Sequence, residues 1–112
     1  MSPAERRKER RLDVDISASL FDGQRAVPCR ILNMCSKGFL IESDSRVPVG
    51  QAVSLIVPLS PSRWIQCMVQ IRHVNADRLG ALVTAISAED RAGCAQFLAD
   101  KKQARDAQRQ YA

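Results

Sequence analysis

The chain has 112 residues, 46% hydrophobic and 26% charged, with a net charge of +5. That length supports one domain with a single modest core, and that composition excludes wholesale disorder. The longest apolar runs, such as SLIVPL, are far too short to span a bilayer.

The charge is unevenly placed. MSPAERRKERR carries Arg6, Arg7, Lys8, Arg10 and Arg11 against Glu5 and Glu9. The segment from residue 100 onward carries Lys101, Lys102, Arg105 and Arg109 against Asp100 and Asp106, while residues 12–99 hold eight side chains of each sign. The excess sits at the two ends, so an anion is met more readily by a terminus than by a broad basic face. No apolar run follows the N-terminal charges, so they do not read as a secretory signal, and a cytoplasmic location is expected.

A two-residue period begins at Asp13. In DVDISASLF, Val14, Ile16, Ala18 and Leu20 fall on one face, with Asp13, Asp15, Ser17 and Ser19 on the other, which predicts a half-buried strand. Asp22-Gly23 is a hairpin signal. AVPCRIL predicts a second strand with Val27, Cys29 and Ile31 inward, and Pro28 marks part of it as an edge. NMCSKG then reads as a turn-forming break, and FLIES as a third strand.

DSRVPVGQ is a turn-rich connection. AVSLIVPL places Val53, Leu55 and Val57 on one side. After SPS, WIQCMVQIRHV alternates again with Ile65, Cys67, Val69 and Ile71 inward. NADRLG turns, and ALVTAI makes a sixth strand. Six short strands predict a small antiparallel barrel or sandwich, and closure removes exposed edges.

The end of the chain changes period. SAEDRAGCAQFLADKK starts with Ser87 and has Asp90 three residues later, a capping-box-like helix start. Cys94, Phe97 and Leu98 share a helical face that can cover an open end of the barrel. Beyond Leu98 there is almost no apolar stripe, and fraying is expected.

Catalytic chemistry is hard to place. Cys29, Cys35, Cys67 and Cys94 form no CxxC pair, so zinc is disfavoured and buried thiols are the expectation. The single histidine, His73, lies in a strand pattern beside Arg72 with no nucleophile nearby, and reads as a surface or strand-end residue. There is no Gly-rich phosphate loop and no paired-carboxylate motif, and no enzymatic activity or cofactor is expected.

Two segments carry binding chemistry. The N-terminal arginines offer planar, two-pronged donors for phosphate and for the O6/N7 edge of guanine, and stack on bases. In NMCSKG, Asn33 supplies an amide, Ser36 a hydroxyl, Lys37 a charge, and Gly38 a point of close backbone approach.

In this order and separated by one hairpin, the two segments resemble the motifs of the PilZ domain, the bacterial receptor module for cyclic di-GMP. That family carries RxxxR, often RRxxxR, before its first strand, and here Arg7 and Arg11 are the spaced pair with Arg6 the extra arginine. Its second motif is [D/N]xSxxG, whose three defined positions are Asn33, Cys35 and Gly38, with cysteine in place of serine. LGALVTAISAEDRAGCAQFL looks like the family's last strand and helix. The resemblance implies a six-stranded antiparallel PilZ-type β-barrel with a C-terminal α-helix. It implies a basic arm over residues 1–11, the barrel with its capping helix over 12–99, and a polar helical extension or frayed tail over 100–112.

The resemblance further implies cyclic di-GMP binding by Arg6, Arg7, Arg11, Asn33, Cys35 and Gly38, with Arg10, Ser36, Lys37 and Gly80 nearby. In family terms, the arm would order on the ligand and so signal to a protein partner. A thiol bonds more weakly than a hydroxyl, so Cys35 would cost on the order of 1 kcal/mol. Two rival readings are a PilZ-like adaptor that binds a motility or secretion protein without ligand, and a small nucleic-acid binder. Against the latter, the few aromatics are scattered and form no stacking platform.

Overall fold

The computed structural model describes residues 11–111, and side chains as far as residue 107. Six strands are followed by one helix: β1 (Leu12–Phe21), β2 (Ala26–Cys35), β3 (Gly38–Glu42), β4 (Ala52–Ser60), β5 (Arg63–Asn75), β6 (Arg78–Ile86) and α1 (Ala88–Tyr111). All pairs are antiparallel, and the order β1-β2-β3-β6-β5-β4 closes on itself as a barrel. No helix among the described residues is long and apolar enough to cross a membrane.

The two-residue period becomes the barrel's inside and outside. Leu20, Ile31, Val53, Leu55, Val57, Ile65, Val69 and Ile71 are buried, together with Met34, Phe39, Ile41 and Leu79. Burying side chains of this size contributes about 1.5–3 kcal/mol each. Asp22-Gly23 makes the β1–β2 turn as expected. The Asp22 carboxylate accepts from the backbone N–H groups of Gln24 (2.9 Å) and Arg25 (3.1 Å), and Gly23 has φ of +101°. Those two bonds favour the charged form and lower the Asp22 pKa. Pro28 faces Ser19 of β1, and pairing of β2 with β3 starts only at Arg30, so one side of β2 is a free edge at Pro28.

Of the shifts in strand register, two β-bulges shape the face that carries Asn33. Leu32 is extra in β2 against β3, and Arg72 is extra in β5 against β6. Each flips the residues that follow. Asn33 and His73, which an unbroken period would send inward behind Ile31 and Ile71, share an outer face instead, and Met34 enters the core. This is why β2 runs on through Asn33–Cys35, a segment that reads as turn in sequence, leaving only Ser36 and Lys37 as the turn.

Helix α1 begins where Ser87 caps it, its hydroxyl accepting from the Asp90 N–H at 3.0 Å. Asp90 in turn accepts from the Gln66 N–H of β5 at 3.1 Å, and the Arg63 guanidinium donates to the Glu89 carbonyl at 2.9 Å. Cys94 lies in the core cluster, with Phe97 and Leu98 packed against it, so the helix covers the barrel as its apolar face predicts. The helical backbone continues past Leu98 to Tyr111.

All four cysteines are free and buried. Burial pushes the Cys29 thiol up to about 11 and the Cys67 thiol to about 12. The folded values lie above the unfolded thiol value of about 8.5, so the folding advantage of the neutral thiols is complete below that pH. It declines as pH rises toward the folded values. In native protein at pH 8, Cys29 and Cys67 are expected to react with a thiol reagent orders of magnitude more slowly than in denatured protein, and unfolding midpoints should fall between pH 9 and 11. Fast native labelling of both would contradict this burial.

Gly38 is fixed by its neighbours. A Cβ there would overlap the backbone carbonyl oxygen of Ala81 on β6. Gly38→Ala should cost about 1–3 kcal/mol by forcing β3 and β6 apart, read as a lower urea midpoint. An unchanged midpoint would show that the strands yield freely.

Candidate functional site

The two motifs meet on the outside of the barrel. Arg11 immediately precedes β1, and Asn33 lies near the end of β2 directly opposite Asp13. The Arg11 guanidinium donates from Nη1 to Asn33 Oδ1 at 3.2 Å. Arg6, Arg7 and Arg10 lie outside the described residues.

From Asn33 the register draws one outward row across the sheet. Asn33 faces Leu40 on β3, Leu40 faces Gly80 on β6, and Gly80 faces His73 on β5. Three strand spacings separate the ends of the row, roughly 14 Å. The next row contains Cys35 opposite Gly38, and Gly38 opposite Leu82. Asn33, Gly38 and Gly80, from separate parts of the sequence, therefore lie on adjoining rungs of one face.

The residues of the second motif have different environments. Asn33 is half-buried with its amide at the surface, while Cys35 is only 8% exposed. Ser36 is half-buried and Lys37 exposed in the two-residue turn, which is tied to β6 by a 2.8 Å bond from the Val83 N–H to the Lys37 carbonyl. Gly38 and Gly80 are buried backbone positions against neighbouring strands. The face is thus built on paired strands and cationic at its start, with an amide beside the cation, a combination suited to a phosphate-bearing base.

Residues taking part in the fold's other polar contacts lie elsewhere. Arg30 pairs with Asp15 along β1 and β2. A cavity of about 650 Å³ at the far end of the barrel is lined by the β3–β4 connection and the β5–β6 turn, and includes Arg46, Val49, Val74 and Asp77. None of the described motif residues borders it. His73 also lies on this face, exposed near the end of β5 as its sequence position suggests.

Comparison with known proteins agrees with this architecture. The Bacillus subtilis inhibitor of motility (MotI/DgrA) superposes with a TM-score of 0.75 at 14% identity, over 86% of this chain and 52% of that one. The chain spans about half the length of that protein. The PilZ domain of CeSA from a cellulose-synthesizing bacterium superposes with a TM-score of 0.67 at 11% identity, over 84% of this chain and 99% of that one. At such identities the likeness is one of fold. No curated protein matches the chain in sequence. The PilZ domain family model matches residues 5–100, from the arginine run to the capping helix. With that match spanning most of its length, the chain belongs to the PilZ domain family.

Proposed function

We propose that this chain is a receptor for cyclic di-GMP, acting by binding rather than catalysis. The observation that carries the reading is the Arg11–Asn33 hydrogen bond, which joins the arginine motif to the second motif on one face. PilZ domains bind this ligand as a family, and two phosphates and two guanines are what arginines and an amide recognise best.

In this reading Arg7 and Arg11 grip phosphate and guanine edges, and Arg6 stacks or holds a second ligand molecule. Arg10 adds charge beside them, and Asn33 reads a guanine edge. Cys35 contributes a weak contact, Ser36 and Lys37 flank it, and Gly38 and Gly80 keep the surface low enough for the ligand to lie on the strands. Closure of residues 1–11 over the ligand changes the surface shown to a protein partner in the cytoplasm, and this is the signal. Nucleic acid and membrane insertion play no part in it.

A second reading, a ligand-free adaptor for a motility or secretion protein, draws on the burial of Cys35, which leaves that position little to offer a ligand.

Calorimetric titration with cyclic di-GMP, with GTP as control, separates the two. Binding at micromolar concentration or tighter is expected. Arg7→Ala and Arg11→Ala should each weaken it by about tenfold or more, as for the loss of a charge-assisted contact, and Lys8→Ala by far less. Equal effects of all three would undo the assignment of roles. Absence of any heat or competition would leave the adaptor.

A further inference from the structure

We propose that the outer face centred on β4 and the first half of β5 is a self-association surface, on which a second copy of this chain docks two-fold symmetrically through Trp64. This surface is distinct from the face that carries Arg11 and Asn33, and does not depend on the ligand reading.

The face is apolar where the outside of a strand is ordinarily polar. The register sets Phe21 of β1, Ser54 of β4, Met68 of β5 and Ala85 of β6 in one outward row. Ser19, Ile56 and Gln66 form the next row, and Pro58 faces Trp64 in the third. Phe21, Ile56, Trp64 and Met68 are four of the seven large apolar side chains exposed among the described residues, and Trp64 is 57% exposed. No charged residue occupies these rows, in a chain that is 26% charged. Contiguous apolar surface of this kind marks an interaction site.

Shape points to the occupant. A shallow hollow of about 310 Å³ is bordered by Ser54, Gln66, Cys67, Met68 and Ala85. Trp64 stands three positions before Cys67, about 10 Å along the same strand. A projection and a hollow on one face are self-complementary. A two-fold axis lying in the interface, midway between them and across the strands, seats each Trp64 in the hollow of the other copy. That operator stacks the two sheets with their strands aligned, about 10 Å apart. It also brings Ile56 against its own copy, because Ile56 lies level with Gln66, between projection and hollow.

Charge and area agree with this. Each copy carries +5, but the excess lies in residues 1–11 and 100–112, so the two neutral faces meet without opposing like charges. The rows span three strand spacings by the rise from Trp64 to Met68, about 14 Å each way. That is the footprint of a small interface, under about 1,200 Å² in total. Association is therefore weak and concentration-dependent, with a dissociation constant on the order of 10–500 µM.

The test is sedimentation velocity of the full chain without ligand, from about 10 µM to about 1 mM, comparing wild type with Trp64→Ala, Ile56→Glu and Ile56→Lys, and thermal melts of each. Wild type should pass from monomer to dimer over that range. Trp64→Ala should weaken dimerisation about thirty-fold or more, as for a hot-spot side chain, at an unchanged melting temperature. Ile56→Glu and Ile56→Lys should each stay monomeric, since like charges then meet across the axis, while an equimolar mixture of the two should dimerise. Trp64 is the only tryptophan, so wild-type fluorescence reads its seat without any substitution. Emission should shift to the blue, and acrylamide quenching should fall, as concentration rises. A wild type that stays monomeric at the top of the range would overturn the inference and leave the face to a different protein. A dimer of unchanged strength in Trp64→Ala, with Trp64 still freely quenched, would overturn it by placing the contact elsewhere. A Glu–Lys mixture that stays monomeric would overturn the two-fold arrangement.

Discussion

The seam between β1 and β4 is the contact on which the rest of the molecule depends. Only Ser19, Leu20 and Phe21 pair across it, with Ile56, Leu55 and Ser54. Leu20 and Leu55 face each other there and are 1% and 0% exposed. Backbone hydrogen bonds contribute about 1 kcal/mol each in net terms, whereas each of these leucines contributes about 1.5–3 kcal/mol by leaving water. The seam is therefore held by the core it encloses at least as much as by its ladder. Opening it would expose both leucines and two unpaired strand edges at once.

Closure makes the side of each residue a strict matter. In an open sheet a polar side chain facing the wrong way can meet solvent, but inside this barrel it would meet Ile31, Phe39 or Ile71. A buried amide without partners costs about 1–3 kcal/mol on mutational scales. The extra residues Leu32 and Arg72 remove that cost for Asn33 and His73 while sending Met34 inward. The same irregularities that protect the core populate the outer face, so fold and face are solved together.

Much of this was legible from the residues. Alternation identified the inward faces of four of the six strands, Asp22-Gly23 its hairpin, Ser87 the helix cap, and Cys94, Phe97 and Leu98 the helix face that meets the core. Motif spacing alone relates Arg11 to Asn33, and a hydrogen bond joins them in the structure. The bulges were not legible, because an extra residue is defined only against the strand beside it. Asn33, Met34 and Cys35 looked like turn residues for that reason, and His73 looked like an ordinary strand end. The relation between Gly80 and His73 needs the β5–β6 register, which no local pattern in either strand specifies. Arg63 tying β5 to the first turn of α1 was equally invisible, since its partners are twenty-six and twenty-seven residues away.

The substitution at position 35 gains meaning from its surroundings. A serine hydroxyl as enclosed as Cys35 would need a partner to offset its lost hydration. A thiol demands none, and behaves in such a place as a small hydrophobe. Cysteine therefore suits the closed position that the structure shows, and a receptor built on this chain would draw little recognition from it. Gly38, for its part, is already required by the approach of the Ala81 carbonyl. Of the second motif's three defined positions, that leaves Asn33 as the one whose side chain has chemistry directed outward. Arg11 reaches it from one side, and the outward row through Leu40 and Gly80 extends from it on the other.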